Sequence, residues 1–557
     1  MRGGRKSPLL RAIKEHTQST LIRGEERSTF EDAIVRIERG AISRRELLRY
    51  GGMVGAGAAL AACSFGTKRS ATNTASGHTP HDARVVVVGA GLAGLTAAYR
   101  LTQVGVPVQL FEARDRIGGR CWTARGFAQG QTAEHGGEFI DTRHVHIRGL
   151  AAELHLELDD LFAAPHAGAR WPNFVDGSFL SNRTVNEVSH RVAVAATAEA
   201  RRIGVIRGGA RPSTTAFSAG TATPAAVALD QLSMAEWLER AAPGVLGSPM
   251  GRWFDESMAG WYGLNMDGLS AVNWMDYFVI SAPGADERWH VHGGNDQIAT
   301  LTAERLPAGT LRSRTPLQAM RARGDGAYQL TFAGIAQPVV ADLVILALPF
   351  TTLRQVDLSS SGLSAARMAS IRELAMGDDV KLLLQYDRRP VTFDGWSGGM
   401  EHADPDFETW ESSLGEHGTA GLLTVYAGGR TGASWTAEQP HGPAPRALED
   451  AIVRDIDRVI PGTAAHRIGT AWSDLWTRDP WTQGAYAAFA PGQYTRFWGA
   501  LARSEGNVHF AGEHTSTYSQ GYLDGGVESG NRTAVEVMRA LGVPVPAALA
   551  RLPYSPA

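Results

Sequence analysis

Cysteine is nearly absent from this chain: 557 residues contain two, Cys63 and Cys121. Two thiols cannot build a disulfide framework, nor a zinc site with three or four cysteine ligands. A surplus of charge is also lacking, with 54 Lys+Arg against 57 Asp+Glu and a formal net charge of −3. That balance gives no electrostatic ground for a nucleic-acid partner. Long hydrophobic runs are missing as well. The apolar Gly/Ala run Gly51 to Ala62 has about twelve residues, where a membrane-spanning helix needs about 20. No internal repeat recurs and no nucleophile-elbow pattern of a serine hydrolase is present. With 43% hydrophobic and 20% charged residues, the composition is that of a globular protein of about three to four domain-equivalents.

What the chain does have is glycine, 64 residues, or about 11% against a usual 7% or so, and an uneven spread of charge. Residues 1–49 hold 12 Lys+Arg and 7 Asp+Glu, a local +5 that leaves −8 for the remainder. Ser43-Arg44-Arg45-Glu46-Leu47-Leu48-Arg49 precedes the apolar run, which has the length of a signal h-region. This arrangement resembles a twin-arginine export leader. Leu60-Ala61-Ala62-Cys63 resembles a bacterial lipobox, which implies membrane attachment through a lipidated Cys63. The expectation is an exported protein, periplasmic or at the cell surface, and a cytoplasmic one if the leader is not functional. Residues 64–82, rich in Ser, Thr and Gly, read as a flexible linker.

After Arg84 come Val85-Val86-Val87-Val88, then Gly89-Ala90-Gly91-Leu92-Ala93-Gly94, an amphipathic stretch to about Val104, and Val108 to Phe111 closed by Glu112. The pattern predicts strand, Gly-rich turn, helix, strand. Gly89 permits the tight turn, Gly91 lets the backbone approach a pyrophosphate, and Gly94 lets the helix pack on the strand. The helix N-terminus then presents unpaired N–H groups to phosphates. Glu112, 23 residues after Gly89, is spaced to accept from ribose hydroxyls and disfavours a 2′-phosphate. On these residues alone, NAD and FAD both remain open.

The next residues separate the two. Glu112-Ala113-Arg114-Asp115-Arg116-Ile117-Gly118-Gly119-Arg120 resembles the second-strand signature of FAD enzymes of the glutathione-reductase-like superfamily, in the amine oxidase branch. The resemblance puts Arg120 near the FAD phosphates, where opposite charge favours it. Glu134-His135-Gly136-Gly137-Glu138-Phe139-Ile140 resembles the next family element, in which two glycines let the flavin ring lie close. Arg288 to Gln297 resembles the stretch that re-enters the FAD domain, and Leu317 stands where family members contact adenine. Asp342 to Pro349 has a buried-strand pattern. Near the C-terminus, His509-Phe510-Ala511-Gly512-Glu513-His514-Thr515 and Gly521-Tyr522-Leu523-Asp524-Gly525-Gly526 form the strongest block. The likeness to flavin-containing amine oxidases covers most of residues 83–540.

It implies an α/β fold: an FAD-binding, Rossmann-like domain with a discontinuous α+β substrate-binding domain. The expected division is 1–82 leader and linker, then FAD segments 83–149, 284–359 and 466–545, with substrate segments 150–283 and 360–465. A Gly/Ala/Thr/Pro-rich passage at 207–226 reads as a loop. The residues implied in cofactor binding are Gly89, Ala90, Gly91, Gly94, Glu112, Ala113, Arg114, Gly119, Arg120, Gly136, Gly137, Glu138, Phe139, Leu317, Gly512, Glu513, Gly521, Tyr522 and Leu523. Tyr486 and Tyr522 match the two tyrosines of the family's aromatic cage, whose ring faces attract and orient an amine. Lys381 matches the lysine that holds a water near flavin N5, and a lysine beside Leu382-Leu383-Leu384 is costly to bury without a partner.

The resemblance thus implies an FAD-dependent amine oxidase, taking a primary or secondary amine to an imine and then an aldehyde while O2 becomes H2O2. Ala485 stands where some members carry a flavin-bonding cysteine, so the FAD is expected to be non-covalent. An L-amino acid oxidase is the alternative, since Arg143 lies near the flavin elements, although it is not at the usual arginine position, and Gly521-Tyr522 replaces the Gly-Trp of many such enzymes. A dehydrogenase or electron-transfer protein that does not use O2 is the second alternative. His144-Val145-His146 and His290-Val291-His292 read as imidazole pairs on strand faces without a third ligand, so no metal is expected. Cys121 reads as a packed thiol near the cofactor.

Overall fold

The structure is a computed structural model that describes residues 82–163, 170–205, 216–276 and 285–555. The leader, Cys63 and most of the linker lie outside the described residues.

Val85–Val88 is fully buried and central in a five-stranded parallel sheet, ordered 508–510, 343–346, 85–88, 108–111, 311–312. Four consecutive valines suit a strand covered on both faces. Val85 and Val87 pack with the helices Leu92–Gln103 and Leu523–Ala540, while Val86 and Val88 join Met320, Leu330 and Phe332 on the opposite face. The two helices meet at backbone distance because a Cβ on Gly530 would lie 2.4 Å from the Ala93 carbonyl. The strands Leu317–Ala322, Tyr328–Phe332 and Val339–Ala341 form an antiparallel excursion.

A second, eight-stranded mixed sheet runs 441–443, 467–475, 380–386, 421–427, 407–411, 400–403, 173–175, 178–179. Val380–Tyr386 is central, paired antiparallel on both sides and buried along its whole length. Leu382, Leu383 and Leu384 are each fully buried, worth roughly 1.5–3 kcal/mol apiece. The helix Pro249–Tyr262 packs on this sheet; Met234–Ala241 starts with a Ser233/Glu236 capping box, as its sequence signature requires.

Three details differ from the sequence expectation. The strand Arg467–Leu475, assigned to the third FAD segment by the 465/466 boundary, pairs within the eight-stranded sheet. Part of the 207–226 passage is helix: Pro224–Asp230 starts at Thr223, whose hydroxyl accepts from the Ala226 N–H, with proline in the first turn. His144 and His146 do not share a strand face, because His144 stands at the N-cap position of the helix Val145–Glu153, which contains His146, and its Nδ1 accepts from the Asp141 N–H.

Candidate active site

The Gly-rich turn leaves the central strand with Gly89 at φ +98°, where a Cβ would lie 2.6 Å from the Ala347 carbonyl. Gly94 is buried directly beneath, a Cβ there falling 1.9 Å from the Gly89 carbonyl. Gly91 is the opposite case, with nothing within 4 Å of its Cβ position. As N-cap of Leu92–Gln103 it supplies no capping side chain, so the helix end is open to an acceptor from outside. Glu112 is fixed at the end of its strand by N–H donors from Ala90 (2.7 Å) and Arg114 (2.9 Å).

One cavity of about 950 Å³ runs from this turn to the eight-stranded sheet. All but two of the residues expected at the site line it. Gly89, Gly91, Glu112, Ala113, Arg114 and Leu317 are at one end; Gly119, Arg120, Gly136, Gly137, Gly512 and Glu513 come next; Glu138, Phe139, Lys381, Tyr486, Gly521, Tyr522 and Leu523 complete it. Ala90 and Gly94 stand behind the wall, one donating to Glu112 and the other packed under Gly89. Leu523 closes against Gly137, where a Cβ would fall 2.7 Å from its Cδ2.

The arginines of the motif are held by protein groups. Arg114 Nη2 donates to Asp479 (2.5 Å) and Thr482 (2.7 Å). Arg120 Nη1 donates to the Ala485 carbonyl (2.6 Å) and to Glu513 Oε1 (3.0 Å). Glu513 also accepts from the N–H groups of Ala487 and Gly521, so one buried carboxylate ties three chain segments together. The expected service of Arg120 to a phosphate is therefore joined by a structural one. Asp479 is braced in turn by His441, which bridges it to Asp474, and Asp474 also meets His135. Burial opposes ionisation of both aspartates, but the histidines, with Arg114 at Asp479, outweigh it and hold them below the usual carboxylate range.

Across the eight-stranded sheet, register brings distant residues into one rank. Asp474, Lys381, Tyr426, Glu408, Glu401 and Asn173 are successive cross-strand partners, and directly opposed residues share a face. Lys381 Nζ donates to the Glu134 and Gly136 carbonyls (3.0 and 2.8 Å) and pairs with Glu138 Oε2 at 3.1 Å. It also lies 5.4 Å from the Trp410 ring. The partner that makes its burial tolerable is thus 243 residues away in sequence.

Tyr486 and Tyr522 come together through Gly521, at φ +79°, where a Cβ would be 3.3 Å from Tyr486 Cδ2. The Tyr486 hydroxyl donates to the Gly260 carbonyl and meets the Tyr426 hydroxyl at 3.3 Å. The Tyr522 hydroxyl donates to Glu287 Oε1, and its ring lies against His144. The sequence reading missed Tyr426, Glu408, Trp410, Glu287, Asp276 and Asp379, all of which line the cavity. For Glu408 and Trp410, two apart on Phe407–Glu411 and so on one face, strand alternation was the available signal.

This end is acidic. Burial, then Glu401, Glu287 and Asp379, pushes Glu408 well up from the usual carboxylate range. Burial does the same for Asp379 and raises Asp276 to about 6. Arg143 lines the cavity too, and its Nε donates to Asp141 at 3.0 Å. Cys121 is a cavity-wall thiol whose Sγ donates to the Asn295 carbonyl; burial pushes its pKa up, so it is a poor nucleophile. Among the described residues, no group of three or more His, Cys, Asp and Glu is arranged to hold a metal ion.

The cavity fits a flavin dinucleotide. It joins an open glycine at a helix N-terminus to an anchored carboxylate on one side and an aromatic pocket on the other. Glu138 Oε1, buried in its wall, has no hydrogen-bond partner among the described residues.

Residues 92–538 match the profile of the flavin containing amine oxidoreductases, and the chain belongs to that family. It is an oxidoreductase of the class acting on CH–NH2 or CH–NH groups. Among curated relatives, it is 23% identical to a pseudooxynicotine dehydrogenase from Pseudomonas sp, over 90% of this chain and 96% of that one. It is 25% identical to an L-amino-acid oxidase from Siganus canaliculatus, over 81% and 85%. Among solved structures, cyclohexylamine oxidase from Brevibacterium oxydans has the same fold, with a TM-score of 0.70 at 23% identity over 83% of this chain and 99% of that one.

Proposed function

We propose that the protein is an FAD-dependent oxidase of small-molecule primary or secondary amines, with the FAD held non-covalently. The observation that carries this reading is the convergence of the dinucleotide turn, Lys381, Tyr486 and Tyr522 on one cavity. Glu112 and the Leu92–Gln103 N-terminus would hold ribose and pyrophosphate, and Gly136, Gly137 and Gly512 would let the ring system lie close. When bound, FAD supplies the two-electron acceptor for the C–H bond next to nitrogen and passes the electrons to O2.

The chain's own residues do the rest. The acidic wall draws in an ammonium ion, and the Tyr486 and Tyr522 ring faces hold the nitrogen, each such contact worth about 0.5–2 kcal/mol. Trp261, Trp410 and Tyr262 line the same end and exclude water. Lys381, its three N–H groups taken up by Glu138 and two carbonyls, keeps a positive charge in the wall where O2 is reduced. Non-covalent binding is supported by Ala485 in the cavity wall and by the hydrogen-bonded, buried state of Cys121. Acid precipitation should therefore release the FAD into the supernatant, and colour retained in the pellet would refute it.

The acidic cavity favours amines over amino acids, because a substrate carboxylate would meet Glu287, Asp379 and Glu408, with Arg143 already engaged by Asp141. The deciding experiment is anaerobic flavin bleaching with amines and L-amino acids, then a peroxide assay in air. Bleaching by amines with peroxide release is expected. Bleaching without peroxide indicates a dehydrogenase, and no bleaching by any amine overturns the reading. We further propose export through the leader, supported by its sequence alone. Replacing Arg44 and Arg45 by lysine should then retain the protein in the cytoplasm, and unchanged fractionation would refute export by this route.

A further inference from the structure

Two carboxylates of the acidic wall, Asp379 and Glu408, stand together at the sheet end of the cavity. Asp379 precedes the strand Val380–Tyr386 by one residue, so strand alternation puts it on the Lys381 side. It is 1% exposed yet lines the cavity. Glycines make room for it: a Cβ on Gly263 would lie 2.5 Å from Oδ2, and one on Gly428 2.6 Å from Oδ1. The Tyr426 and Tyr486 hydroxyls lie beside it and favour its anion. Neither contact is a well-formed hydrogen bond, and beyond these two hydroxyls no described residue supplies one. A buried, unsatisfied carboxylate is costly, and its position in a cavity wall points to a partner that arrives with the ligand.

Glu408 is the second. It is the cross-strand partner of Tyr426, and its Oε1 lies 3.3 Å from the Cβ position of Gly260, the residue whose carbonyl accepts from the Tyr486 hydroxyl. Both carboxylates are thereby brought to the hydroxyl end of the ring that forms one wall of the amine pocket. Behind Glu408 lie more acids, Glu401 and the fully buried Glu256, which add repulsion rather than compensation. Among the described residues, no Lys, Arg or His forms an ion pair with Asp379 or Glu408.

We propose that Asp379 and Glu408 form a second-cation subsite and that the substrate is a diamine or polyamine. One nitrogen is oxidised between Tyr486 and Tyr522, and another stays protonated between the two carboxylates. This rests on the amine oxidase reading and adds the substrate class. The Tyr486 ring bounds the first position and its hydroxyl reaches the second, lying beside Asp379 and on the Gly260 carbonyl next to Glu408, so a short methylene chain spans the two positions.

The test uses the FAD-loaded enzyme and the matched pairs 1,4-diaminobutane with n-butylamine and 1,6-diaminohexane with n-hexylamine. A kcat/KM about tenfold or more higher for at least one diamine over its monoamine is expected, as for a charge-assisted hydrogen bond. Asp379→Asn and Glu408→Gln should each reduce that ratio severalfold, mainly through KM for the diamine. Should Asp379→Asn lose its flavin, Glu408→Gln carries the comparison. A diamine-to-monoamine ratio near one in the parent enzyme, or one unmoved by the substitutions, overturns the subsite alone. Anaerobic bleaching by none of the four amines overturns the amine oxidase reading and the subsite with it.

Discussion

Replacing Lys381 with methionine removes an ammonium that is 5% exposed and 3.1 Å from a carboxylate that is 3% exposed. At an effective dielectric constant of about 20, that separation corresponds to roughly 5 kcal/mol of attraction. Desolvation offsets much of it in the intact pair, but removing one partner leaves Glu138 buried without compensation, a loss of about 3–5 kcal/mol. For a chain of this length, an unfolding entropy of about 2.1 cal/mol/K per residue converts such a loss to roughly 3–4 °C in Tm. Glu138→Gln in the Lys381→Met background should recover most of it, because the orphaned charge is gone. The assay is thermal unfolding of the four proteins of the cycle, monitored by tryptophan and FAD fluorescence. If Glu138→Gln adds its own penalty to that of Lys381→Met, the pair is not the source of the stability and the reasoning fails. In stopped-flow, Lys381→Met should slow reoxidation by O2 more than reduction by amine; equal slowing would contradict its placement beside the reaction with O2.

Gly94→Ala puts a Cβ 1.9 Å from the Gly89 carbonyl, so the helix must withdraw from the turn, and purified protein should carry little flavin by its visible absorbance; full occupancy refutes the close-packing account. Gly521→Ala forces a residue with a side chain to φ +79° against the Tyr486 ring, and KM for amines should rise about tenfold or more; unchanged KM would show that the turn does not set the tyrosine pair. For the network around Arg114, burial opposes protonation of His441, yet its bonds to Asp474 and Asp479 outweigh this and raise its pKa. Its contribution is therefore fully present below the unfolded value of about 6.5 and fades as pH rises through the folded one. The depressed aspartates contribute above about pH 4 and lose that contribution as pH falls further. The stability advantage over His441→Asn should be largest near pH 5–6 and shrink in the alkaline range, and a constant advantage would refute it.

Legibility tracked locality. Val85-Val86-Val87-Val88 and the glycines after it declare a strand, a turn and a helix, because Gly94 meets its obstacle five residues back and Gly89 meets its own just past the neighbouring strand. Glu112 was likewise visible from spacing, although its anchoring by the Ala90 and Arg114 N–H groups was not. The pairing of His144 with His146 failed for a related reason: an alternating His-Val-His reads as strand, yet a helix begins at His144, whose ring is turned to Asp141. The 465/466 boundary failed because the last central strand of the eight-stranded sheet, Arg467–Leu475, carries no motif.

By itself, the sequence determined the parallel-sheet unit and the dinucleotide turn, since these follow from short-range sterics and spacing, whereas Lys381, Tyr486 and Tyr522 were singled out only by the resemblance to flavin amine oxidases. Only the tertiary structure decided what surrounds them. Cross-strand register, which depends on strand order and not on sequence distance, ranks Lys381 with Tyr426 and Glu408, while the packing of the segment after Ala133–Glu134 against that sheet gives Lys381 its counter-ion Glu138.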